Sequence, residues 1–169
     1  MSRSKFTTRK SILPLLTLFL VPAAALASGE HSGDHDGSEA YTFGEPASPS
    51  SADRTITIEA SDRMTFSPSD IVTSKGETIR FVVRNVGELP HSFTLGTPTD
   101  QRMHEDEMQG MSVDKVTGHM ADDATGMTVP AGNTDSLTWR FTDAGAVQFA
   151  CHVPGHYPKG MKGTIRVKP

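Results

Sequence analysis

The chain predicts an all-β fold, an antiparallel Greek-key sandwich or barrel, and three observations carry that expectation. Apolar and polar residues alternate with period two in several short runs, Gly and Pro punctuate those runs at close intervals, and no long stretch keeps the 3.6-residue apolar period of an amphipathic helix. The 169 residues suffice for one ordinary domain and not for two.

Taken in order, residues 1–27 read as a secretory signal. Arg3, Lys5, Arg9 and Lys10 precede an apolar run from Ile12 to Leu26, and Ala25-Leu26-Ala27 is the small-x-small pattern cut by signal peptidase, after Ala27. Pro14 and Pro22 interrupt the run and acidic sequence follows it, which speaks against a membrane anchor. The mature chain is therefore expected to be exported. Losing this segment removes four of the sixteen cations and none of the twenty anions, taking the net charge from −4 to −8. Such a balance disfavours nucleic acid and anionic membrane as partners.

Residues 28–53 are rich in Gly, Ser, Pro and acidic residues and read as a flexible tail. In it, His31 and His35 among acidic neighbours are either solvated polar residues or a weak site for Cu(II) or Zn(II). No role is assigned to Tyr41 or Phe43.

The folded domain is expected over residues 54–169. Ile56 and Ile58, then Ile79, Phe81 and Val83, then Leu137, Trp139 and Phe141, then Ile165 and Val167 each mark the buried side of a strand. Arg80 and Arg84 fall on the opposite, solvated parity. Shorter strands are expected at Met64–Phe66, Ile71–Thr73, Ser92–Leu95 and Ala146–Ala150. An insertion, 97–129, interrupts the pattern; it is polar and acidic, is expected to hold a short helix around Glu105 to Met111, and contains five methionines.

The densest chemistry lies in "FACHVPGHYPKGMKG", residues 149–163, which holds the single cysteine of the chain. In an exported protein a lone cysteine is an accidental buried thiol, a bond to another chain, or a metal ligand. Parity groups Val147, Phe149 and Cys151 on the buried face and sends His152 to the other, as a surface histidine or one hydrogen-bonded near the site. Beyond Cys151 the pattern is Cys-x4-His-x4-Met, turned by Pro154-Gly155, Pro158 and Gly160, so Cys151, His156 and Met161 can aim at one point. His91, after Pro90 and before a short strand, is the best fourth member, ahead of His104 and His119.

Two imidazoles, a thiolate and a weak thioether make the donor set of a type 1 copper site. Zinc is the rival metal, but structural zinc sites seldom use methionine and usually use more than one cysteine. In the insertion, Met103, His104, Met108, Met111, His119, Met120 and Met127 are either scattered surface residues or a second, soft copper site.

These motifs resemble the cupredoxins, the small copper proteins that include plastocyanin and azurin. "MTFSPSDIVTSKGETIRFVVRN" resembles the family's amino-terminal strand pair, "LPHSF" its first histidine, and "FACHVPGHYPKGMKGTIRV" its carboxy-terminal ligand loop. The resemblance implies copper as cofactor and His91, Cys151, His156 and Met161 as its ligands. The Cys-to-His spacing is longer than in plastocyanin-type loops and the His-to-Met spacing one longer than in azurin-type loops. The Met- and His-rich extensions add a looser likeness to periplasmic cupredoxins of bacterial copper tolerance.

Nothing in the chain resembles an enzyme: it has no nucleophile system and no phosphate loop. Two functions are expected, binding or oxidation of surplus periplasmic copper, or one-electron transfer with a periplasmic cytochrome or other redox protein, steered by the acidic charge. A metal-holding chaperone without redox turnover is a third.

Overall fold

The alternating runs become ten strands in the computed structural model, which describes residues 41–169. The expected signal segment, and His31 and His35, lie outside the described residues. In chain order the elements are β1 (Glu45–Pro46), β2 (Arg54–Ser61), β3 (Thr65–Ser67), β4 (Asp70–Ser74), β5 (Thr78–Asn85), β6 (His91–Gly96), α1 (Pro98–Met108), α2 (Val113–Asp122), β7 (Gly126–Val129), β8 (Thr134–Arg140), β9 (Gly145–Ala150) and β10 (Lys162–Lys168).

The strands form two five-stranded sheets, ordered β1-β8-β5-β2-β3 and β4-β10-β9-β6-β7. The all-β sandwich is as expected, but the sheets are mixed rather than purely antiparallel: β2 runs parallel to β5, and β4 to β10. The inward parity of each strand fills one core. Ile58, Ile79, Phe81, Val83, Trp139, Phe149 and Ile165 are all fully buried there. Phe66 and Phe93 meet edge to face at 5.9 Å, and Phe93 stacks on Phe149 at 5.2 Å, arrangements favoured by the aromatic quadrupole.

Two expectations need correcting. From Tyr41 onward the stretch read as a flexible tail belongs to the sandwich. Glu45 and Pro46 pair with Trp139 and Arg140, and Phe43, only 4% exposed, stacks on Trp139 at 5.1 Å. Two lone aromatics carry no period, so only the indole they cover explains them.

The insertion is also more ordered than expected. It holds two helices, and its last residues are β7, which pairs with β6. Thr97 caps α1 reciprocally with Asp100, and Pro98 takes the first turn, where no N–H is needed. Met108, Val116 and Met120 then form a small second core with Met111 packed against it.

That second core covers the outer side of β6, which is why every residue of β6 is buried. His91, Phe93 and Leu95 share the parity that faces the main core, and Ser92 and Thr94 share the parity beneath the helices. Gln101 of α1 donates to the Thr94 carbonyl at 2.7 Å and to that of Gln148 at 3.2 Å, joining helix to sheet.

Candidate metal centre

His91 opens β6, and the loop before it is held by Asn85. The buried Asn85 amide donates to the carbonyls of Leu89 (2.7 Å) and Val129 (2.9 Å), and its oxygen accepts from the Gly87 N–H (2.9 Å). Cys151 follows β9 on the inward parity of Val147 and Phe149, as expected, and its N–H bonds to the Met161 carbonyl at 3.0 Å. His156 sits in the turn between them, its carbonyl accepting from the N–H of Met161 at 3.2 Å. Gly155 (φ 82°) and Gly160 (φ 94°) supply the left-handed backbone these turns need.

Three of the four expected donors converge. His91 Nδ1 and His156 Nδ1 are 3.3 Å apart, with Cys151 Sγ 3.4 Å from His156 Nδ1 and 3.9 Å from His91 Nδ1. The point equidistant from these atoms lies about 2.1 Å from each, close to the roughly 2.0–2.1 Å of a metal–imidazole bond. Both imidazoles are held below their usual pKa range chiefly by burial, which favours the neutral, ligating form. The donor set therefore fits a borderline-to-soft ion. Met161 is fully buried in the same core as Cys151.

The surroundings position these donors. The Cys151 sulfur accepts the Ser92 N–H at 3.3 Å, while burial pushes its thiol pKa up. His91 Nε2 contacts Asp62 Oδ1 at 3.1 Å. The backbone N–H groups of Glu88 (2.8 Å) and Leu89 (3.3 Å) hold that carboxylate, with the Glu88 bond the main cause of its lowered pKa. An ionised acceptor at Nε2 places the proton there and leaves the Nδ1 lone pair free for a metal. Sequence reasoning missed Asp62, because its partner lies 29 positions along the chain.

His152 takes the outward parity expected of it, and of the two readings it is the residue hydrogen-bonded near the site rather than the surface histidine. Its ring lies under α1, fully buried, with Nε2 2.7 Å from Gln101 Oε1 and Nδ1 3.0 Å from Glu105 Oε2. The Gln101 amide already donates to two carbonyls, so its oxygen takes the Nε2 proton, and the contact to Glu105 needs one further proton between two acceptors. Burial depresses the His152 pKa to about 3, which keeps the imidazole neutral, and burial also raises the pKa of Glu105.

The soft residues of the insertion separate. Met108 and Met120 are buried in the second core, Met120 Sδ accepting from Thr94 Oγ1 at 3.2 Å; Met127 lies in the main core, and Met111 packs beside the helices. Only Met103 is largely exposed, at 65%. Apolar packing thus claims most of the thioethers that composition suggested as a copper surface. His104 and His119 do come together, their ring centroids 5.5 Å apart.

Comparison with known proteins agrees with this geometry. Residues 52–168 match the family described as copper binding proteins, plastocyanin/azurin family. The chain is 35% identical over 164 residues to the copper-resistant cuproprotein CopI of Rubrivivax gelatinosus, covering 95% of this chain and 96% of that one. It is also 35% identical over 183 residues to CopI of Pseudomonas aeruginosa, covering 94% and 95%. Among solved structures, auracyanin B superposes with a TM-score of 0.56 at 21% identity, covering 75% of this chain and 97% of its own. An azurin from Methylomonas sp. strain J does so with 0.55 at 20%, covering 70% and 100%. A sandwich that gathers His91, Cys151 and His156 at one end, matched over nearly its whole length by this family, belongs to the plastocyanin/azurin family of copper-binding proteins.

Proposed function

We propose that this chain is a periplasmic, redox-active type 1 copper protein that contributes to copper tolerance by binding or oxidising copper. The observation that carries this reading is the convergence of His91 Nδ1, Cys151 Sγ and His156 Nδ1 around one point, with Met161 buried in the same loop. In it, His91, Cys151, His156 and Met161 hold the ion. Bound there, copper would supply a one-electron Cu(II)/Cu(I) couple.

The protein's part is to keep one compromise arrangement for both oxidation states. Soft sulfur favours Cu(I) and imidazole accepts both. The Ser92 N–H on Cys151 and the Asp62 carboxylate on His91 resist movement of the donors as the charge changes. The copper-resistant relatives support tolerance as the physiological role, and the sequence of residues 1–27 supports export.

Electron transfer to a periplasmic partner is the second reading. Val86 (51% exposed) and Leu89 (44%) stand exposed on the loop that leads into His91, apolar side chains that a docking partner would cover.

Titration of the metal-free protein with Cu(II) and Cu(I) tests the site. Intense thiolate-to-copper absorption is expected, and its absence in Cys151→Ala. Without such bands in the unaltered chain, the assignment falls. For the role, a strain carrying Cys151→Ala is expected to lose copper tolerance; full tolerance would leave electron transfer as the better reading.

A further inference from the structure

The helices of the insertion bring together a second set of donors. His104 and Glu107 lie three positions apart, on one face of α1, and His119 approaches from α2. One ring nitrogen of each histidine and a carboxylate oxygen of Glu107 all lie within 4.8 Å of one another. They line a cleft of about 380 Å³ into which Asp100 and Asp123 also face. A cation thus has both a route in and a negative surround.

His104 Nε2 is buried and has no hydrogen-bond partner, although a buried ring nitrogen ordinarily finds one. Burial also lowers the pKa of this imidazole, outweighing the Asp123 carboxylate that pulls it up, which keeps it neutral and able to ligate. Met108 and Met120 are turned into the apolar packing between the helices and β6, and Met103 also lines the cleft, outside the two-imidazole, one-carboxylate group.

We propose that His104, Glu107 and His119 form a second metal site for a borderline divalent cation, Cu(II) in preference to Zn(II). Imidazole accepts either copper state, but the hard carboxylate favours a divalent ion over Cu(I), and affinity at nitrogen and oxygen donors rises from Zn(II) to Cu(II). The site is separate from the cysteine centre, yet His152, which follows Cys151, lies with its ring centroid 4.7 Å from that of His104.

The test uses the exported chain, loaded with one Cu(II), in a His31→Gln/His35→Gln background that removes the tail histidines. Zinc is titrated against a chromophoric competitor while the thiolate–copper bands are followed. One further equivalent of zinc is expected, with the bands unbleached. His119→Gln and Glu107→Gln, both changes on helix surfaces, should each weaken zinc by about tenfold or more. Added Cu(II) should displace the zinc and contribute only weak ligand-field absorption. Zinc uptake that is absent, or unchanged in both variants, overturns the proposal. Should the thiolate bands never form, the cysteine-site reading fails, while the dependence of zinc uptake on His119 still decides this one.

Discussion

Replacing Asn85 by Ala tests whether the loop that presents His91 is braced by one amide. The substitution removes two donated bonds, to Leu89 and Val129, and one accepted from Gly87. At about 1 kcal/mol net for each, the loss approaches 3 kcal/mol. Water recovers part of the Leu89 and Gly87 terms at the part-buried end, whereas the Val129 bond is buried throughout, so about 2–3 kcal/mol is the expected cost. In urea, with m of about 1.5–2 kcal/mol/M, the midpoint of the metal-free protein should fall by roughly 1–2 M. Asn85→Asp keeps the shape and the acceptor but loses both donors, and should cost at least as much. Copper should leave the Ala variant for a chelator several-fold faster, since His91 is no longer held. A midpoint shift below about 0.3 M, or near-normal stability in Asn85→Asp, would refute the bracing role.

Other outcomes follow from the same contacts. Phe43→Ala should cost about 3 kcal/mol in thermal or urea melts, because it uncovers the buried Trp139 face, although Phe43 precedes the family match. Asp62→Asn should lower copper affinity by about 10–100-fold with an unchanged far-UV spectrum, as loss of a ligand's orienting partner does. Gly87→Ala should act in the same direction, because a Cβ there would overlap the Asp62 carboxylate. His152→Leu leaves Gln101 and Glu105 without their buried partner, so hydrogen exchange should quicken over residues 98–108 and stay slow in β5 and β8.

Most of the sandwich was legible because a strand's buried face repeats every second residue. Ile79, Phe81 and Val83 announce themselves, as do Ile165 and Val167. So do Cys151 and His156, two of the three converging donors, since they stand within six residues, first to last, with a Pro-Gly turn between them. The insertion was legible only in part. Its α1 starts with a capping signal, Thr97-Pro98-Thr99-Asp100, but the helix has little apolar stripe, because its sheet-facing contact is the polar Gln101 rather than a hydrophobic row. In α2, Val116 and Met120 are a single i, i+4 pair, too short a pattern to separate from chance.

His152 marks the boundary between the two kinds of information. Period two settles which side of β9 its side chain leaves from, since that follows from the pleat alone. Whether that side meets water depends on α1, which begins 54 positions earlier and is brought over it by the fold. Asp62 against His91, Phe43 on Trp139, and the pairing of His104 and Glu107 with His119 are likewise contacts between segments that local pattern cannot relate. Sequence by itself determined the class of fold and the loop on which Cys151 and His156 stand together, because each is written in neighbouring residues. Tertiary structure alone decided what orients the ligands, what shields them and which residues of the insertion meet, because those depend on distances closed through space.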